Sequence, residues 1–165
     1  MDRFFTLLLR AAVVVALLLG LFGQFVVIPG IAADEVARFA PYERIALPYT
    51  IVAILGVLCV QVALVAVWVL LGMLRRDTLF DRKALLWVDV VIGSTVAATL
   101  LGAGITVHLA VTDMPFANGN MEAVGALGSA FLGTAMGTVF AMVLVLMRGL
   151  LRKATRLRTE MSEVI

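Results

Sequence analysis

The sequence predicts an all-α integral membrane protein, a four-helix bundle with both termini in the cytoplasm (N-in/C-in). Three observations predict it. Four apolar stretches, over about 4–28, 48–74, 85–111 and 124–147, each meet the need for about 20 mainly apolar residues across a bilayer. The 165 residues are 63% hydrophobic, with a mean hydropathy of +1.12, and no stretch carries the polar face that a water-soluble helix requires. Finally, 11 of the 13 Lys and Arg residues collect at one set of span ends, and basic flanks face the cytoplasm.

The first span begins beside Arg3 and contains Arg10. A central aliphatic residue favours insertion by about 0.3–0.6 kcal/mol, whereas a central charge costs about 2.5–3.5. A span rich in aliphatics therefore carries one charge, and neither Arg10 nor Asp89 in the third span vetoes its helix. The apolar run exceeds the length of a secretory signal and has no small-x-small site before Asp34, so the span is expected to be retained.

The outer connection 29–47 is the longest, with one or two helical turns expected over 34–40. Pro29, Pro41 and Pro48, and Pro115 further on, are expected in or beside outer connections, where they restrict loops without interrupting a span. In the second span Gln61 is expected to hydrogen-bond to another helix. The single cysteine, Cys59, reads as a small packing residue.

The inner connection 75–84 holds Arg75, Arg76, Arg82 and Lys83. Thr78 and Asp81 have the spacing of a helix start, so the third helix should begin before the bilayer does. Ionisable groups inside a bilayer are functional candidates by default, and there are three: Arg10, Asp89 and His108. Arg10 and Asp89 lie at similar depth and are expected to pair between the first and third spans. His108 lies near the outer end, where interfacial placement explains it.

In the next turn Asn118 and Gly119 precede Asn120, a helix cap, and Glu122 suits the positive end of the fourth helix. Gly125, Ser129, Gly133, Gly137 and Ala141 then recur every four residues, reading as one small face for close helix packing. Gly93, Ala97, Gly102 and Gly104 of the third span are the expected partner, with a homodimer seam as the alternative. Beyond the span, Leu150, Ala154, Leu157 and Met161 recur at helical spacing among Arg152, Lys153, Arg156 and Arg158. The tail 148–165 is thus expected to continue as a basic amphipathic helix, contacting anionic lipid headgroups, each basic residue contributing about 1 kcal/mol, or a cytoplasmic partner. It lacks the aromatics that stack on nucleic-acid bases, so nucleic acid is not an expected ligand. Residues 1–165 form a single domain without linker or repeat.

No catalytic, cofactor or metal residues are expected. Ser129 with His108 evokes a serine hydrolase, but no nucleophile-positioning motif surrounds Ser129. Thiol oxidoreduction needs paired cysteines and a membrane cytochrome needs several histidines. Small multidrug exporters need an acid deep in the first span, where this chain has none.

Between the second and third spans, Arg75, Arg76, Phe80, Asp81, Arg82 and Lys83 resemble the hallmark of the bacterial domain-of-unknown-function (DUF) family 2975. In that pattern a basic residue precedes a small residue or Pro and a Phe, followed by a helix cap and then Asn. Phe80 matches, Asp81 stands for the cap, and Ala84 replaces the Asn. The resemblance implies a small four-span membrane protein without established activity, whose gene often neighbours a small helix-turn-helix regulator. The reading is a non-enzymatic bacterial inner-membrane protein regulating or tethering a cytoplasmic partner through Arg75, Arg76, Phe80, Arg82, Lys83 and the tail. The alternative is a small transporter or channel subunit with a polar path near Arg10, Gln61 and Asp89.

Overall fold

In the computed structural model, which describes residues 3–74, 82–112 and 120–162, nearly every one of these residues is helical. Helix α1 (Arg3–Phe22) passes through a π-helical turn (Gly23–Val27) into α2 (Ile28–Arg38). A 3-10 turn (Ala40–Tyr42) leads to α3 (Glu43–Leu74), followed by α4 (Arg82–Val111) and α5 (Asn120–Ser162). Among the described residues, four apolar helical stretches are long enough to cross a membrane: Thr6–Arg38, Ala40–Met73, Lys83–Val111 and Ala123–Arg156.

Pro29 departs from expectation, and α3 begins five residues before Pro48, where the second span was expected to start. Pro29 lies inside a helical rod, not in a loop. Proline has no N–H to donate, and its ring crowds the carbonyl four residues back. The chain answers with the wider π turn immediately before it, in which the Ile28 N–H bonds to the Gly23 carbonyl, one residue further back than in an α-helix. Pro48 lies inside α3, on an exposed side near its start. There the carbonyl left without a donor can be solvated.

The outer connection expected over 29–47 consequently shrinks to a corner. Phe39 adopts an extended conformation (φ −144°, ψ 100°) and ends α2. Its N–H caps the Glu35 carbonyl at 3.0 Å, the Tyr42 N–H bonds to the Phe39 carbonyl at 3.0 Å, and the two rings meet edge to face at 5.0 Å. The segment 34–40 is helical through Arg38 because it extends a helix already nucleated in the span, so each added residue gains a bond without a new nucleus.

The helices pack in chain order: α1 and α2 on α3, α3 on α4, and α4 on α5, with no seam between α1 and α5 among the described residues. The buried apolar set is thin, comprising Val13, Ala66, Leu71, Ala84 and Val91. Large side chains such as Phe25, Leu100, Phe131 and Leu132 face outward. So much contiguous exposed apolar surface is untenable in water; the molecule is a multi-pass membrane protein. At 1.5 Å per residue, the 43 residues of α5 reach about 64 Å, twice the hydrocarbon thickness of about 30 Å. The expected helical continuation beyond 147 is therefore present.

Candidate functional site

The polar side chains sort into four places along the helix seams. At the basic end, Asp89 lies two turns into α4. Because α5 runs antiparallel beside it, Arg148 arrives at the same level. The Arg148 guanidinium forms a two-point pair with the carboxylate, its Nη2 donating to Asp89 Oδ2 at 2.8 Å and its Nε facing Oδ1. Both side chains stay about two-fifths exposed (41% and 40%), so the pair is accessible from the membrane surface and is not a deeply buried ion pair.

Arg10 does not pair with Asp89, as had been expected from their matching depth. Its guanidinium lies over the Trp68 ring, 5.3 Å from the centroid, within cation–π range. It also covers Gly72, where a Cβ would meet Nη2 at 3.5 Å. Depth alone does not define which way a side chain points around its helix. Arg148 lies one residue beyond the apolar run 124–147, outside the stretch that hydropathy marks as the fourth span.

Deeper, α1 and α3 are joined by two amides. Gln24, inside the π turn, is buried and donates from Nε2 to the Ile54 carbonyl at 3.1 Å, using that oxygen's second lone pair. Gln61 is buried against Gly20, where a Cβ would come within 2.8 Å of Nε2. Gln61 thus fills the notch that a glycine leaves, and its Nε2 has no hydrogen-bond partner among the described residues. Gln24 went unnoticed in the sequence, although a lone amide in an aliphatic run was a readable signal.

Between α4 and α5, small residues permit close approach. A Cβ on Gly137 would fall 2.6 Å from Thr99 Oγ1, and one on Gly102 would fall 3.1 Å from Thr134 Oγ1. Hydroxyls along this seam bond back to their own helices: Thr95 to the Val91 carbonyl at 2.8 Å, Thr99 to Thr95 at 2.9 Å and Thr134 to Ala130 at 2.9 Å. Thr106 and Thr134 also meet across the seam at 3.2 Å.

The expected single small face is only partly present. The half-buried face of α5 runs through Ala126, Ala130, Thr134, Gly137, Ala141, Leu144 and Arg148. Gly125, Ser129 and Gly133 are exposed, and open space faces Gly125 and Gly133. Four residues advance a helix by about 400°, so a strict four-residue repeat drifts about 40° per step and crosses the seam at Gly137 and Ala141. Ser129 and Gly133 instead line an apolar cleft of about 410 Å³ with Cys59, Thr95 and Phe140. The Ser129 hydroxyl bonds to the Ala126 carbonyl at 2.9 Å.

At the opposite end, the Tyr49 hydroxyl and His108 Nδ1 lie 2.9 Å apart with their rings edge to face. At the basic end, Lys83, Arg152, Lys153 and Arg156 are exposed. Leu150 and Ala154 are exposed too, while Leu151 and Thr155 form the half-buried side of α5. Arg82 and Arg158 are placed as helical backbone positions of α4 and α5. Arg75, Arg76, Phe80, the cap pair Thr78 and Asp81, Asn118 and Gly119 lie outside the described residues.

The structure therefore holds Arg10, Gln61 and Asp89 with three separate sets of partners. It brings together Arg148 and Asp89, and gathers the exposed Lys83, Arg152, Lys153 and Arg156 at one end, with Arg38 and Arg44 exposed at the other. A family model described as "Protein of unknown function (DUF2975)" matches residues 30–165. No curated protein and no solved structure matches the chain.

Proposed function

We propose, from the premise that this chain belongs to the DUF2975 family, that it is a non-enzymatic regulatory or tethering protein of the bacterial inner membrane. Both termini face the cytoplasm, and the working surface is the basic rim rather than a site within the bilayer. The observation that carries this reading is the unbroken helix Asn120–Ser162. One rod both packs in the membrane and presents Arg152, Lys153 and Arg156 beyond it. Its exit point is tied to α4 through Arg148 and Asp89.

The partner is a cytoplasmic protein with an acidic surface, such as a small helix-turn-helix regulator, and the rim also rests on anionic headgroups. Transport has less support, because among the described residues Arg10, Gln61 and Asp89 have separate partners. Hydrolysis has less as well, since His108 engages Tyr49 and Ser129 engages its own backbone.

The test is crosslinking in native membranes followed by affinity purification, with the wild type beside the triple variant Arg152→Glu, Lys153→Glu, Arg156→Glu. Selective loss of a cytoplasmic protein from the variant, at equal membrane insertion, is expected. Equal recovery from both sinks the reading.

A further inference from the structure

At the end of the molecule away from the basic rim, a cleft of about 440 Å³ opens between α2 and α3. Its walls are aliphatic, with Ile28, Ile31, Ile45 and Ala53 among them, and Tyr42, Tyr49 and Glu35 also line it. The polar lining groups are engaged elsewhere, with one exception. The Thr50 hydroxyl bonds to the Ala46 carbonyl at 2.7 Å, and the Tyr49 hydroxyl meets His108. Tyr42 packs edge-on against Phe39. The Glu35 carboxylate has no hydrogen bond or ion pair among the described residues.

Asp34, Arg38, Glu43 and Arg44, the other charged residues of this corner, are all exposed and outside the cleft lining, whereas Glu35 is half-buried and on its wall. A carboxylate on the wall of an apolar cleft gains from an opposite charge and repels a like one, more strongly than in water. Two tyrosine rings beside it suit an ammonium group as well. The long apolar floor suits a hydrocarbon chain, which would take the place of contacts the walls otherwise make with lipid.

We propose that this cleft binds a single-chain amphiphile with a protonated amine head, its chain along α2 and α3 and its ammonium on Glu35. The proposal stands independently of the partner-binding role of the basic rim.

The test uses the full chain in phosphatidylcholine nanodiscs and three photoactivatable probes of one chain length: an alkylamine, the alcohol and the carboxylate. Labelling of peptides covering 28–53 is normalised to labelling at Phe131 and Leu132, which face lipid. The amine should label the cleft about fivefold more than the alcohol, as a partly exposed ion pair contributes up to about that factor, with the carboxylate lowest. Glu35→Gln should erase the preference while chain labelling persists, and Ala46→Trp should lower labelling by amine and alcohol alike. Equal amine and alcohol labelling in the wild type, or a preference that survives Glu35→Gln, overturns the proposal. Labelling no richer at 28–53 than at Phe131 and Leu132, the mark of ordinary boundary lipid, overturns it too.

Discussion

The seam between α1 and α3 and the seam between α4 and α5 join helices of similar apolar character by different means. At α1–α3, long amide side chains reach across, Gln24 to a backbone carbonyl and Gln61 into the notch over Gly20. At α4–α5, glycines and threonines interlock, with the hydroxyls satisfied within their own helices. Lipid tails are as apolar as leucine, so neither seam is held by a hydrophobic drive, and close packing and interhelical hydrogen bonds remain. Among the described residues the first kind of seam carries one hydrogen bond, from Gln24, beside the fit of Gln61 over Gly20. The second depends on shape and tolerates no added atom at the point of closest approach.

That contrast can be tested by substitution. The largest effect is expected for Gly137→Leu, which must displace Thr99. It should destabilise the protein by about 1–3 kcal/mol in reversible unfolding within bicelles. Gly133→Leu, four residues away and facing open space, should stay within about 0.5 kcal/mol of the wild type. Equal effects at the two glycines would erase the distinction drawn from shape.

Next comes the ionic contact at the basic end. Asp89→Asn and Arg148→Gln should each loosen the α4–α5 seam, and the double variant should be no looser than either single one. The readout is the crosslinking yield between Thr106→Cys and Thr134→Cys, whose native hydroxyls lie 3.2 Å apart, in a Cys59→Ala background. Additive losses would mean that the two residues act apart.

The smallest effects separate the two amides of the other seam. Gln24→Leu removes a bond to Ile54 and should cost about 0.6 kcal/mol, the average for such bonds within a membrane. Gln61→Met keeps the volume over Gly20 and removes a donor without a partner, so it should be neutral or slightly stabilising. A larger penalty at Gln61 than at Gln24, by the same unfolding assay, would reverse the ranking.

The four spans were legible because hydropathy depends on composition alone, and insertion energies sum over about 20 residues. The emergence of α5 beyond the apolar run was legible too, from the helical spacing of Leu150 and Ala154 among basic residues. What was not legible depends on azimuth. Arg10 and Asp89 share a depth, yet Arg10 turns to Trp68 and Asp89 to Arg148. The repeat from Gly125 to Ala141 looked like one face because a step of four residues is near a full turn, but the small excess accumulates. Pro29 and Pro48 are expected in or beside outer connections because their cost inside an α-helix is well defined. The π turn that relieves that cost at Pro29 has no signature in the sequence around Gly23 and Gln24.

That π turn also works as an index mark. Its one extra residue sets every later position of the rod about 100° around the axis from where an uninterrupted helix would place it. Glu35, one turn before α2 ends, stands on the cleft wall by virtue of that offset. Deleting one residue within Gly23–Val27 would restore α-helical spacing and set the Pro29 ring against the carbonyl one turn before it. It would also swing Glu35 away from α3 without changing any residue that lines the cleft. The acidic character of the outer cleft is thus set by a backbone irregularity in the middle of the first rod.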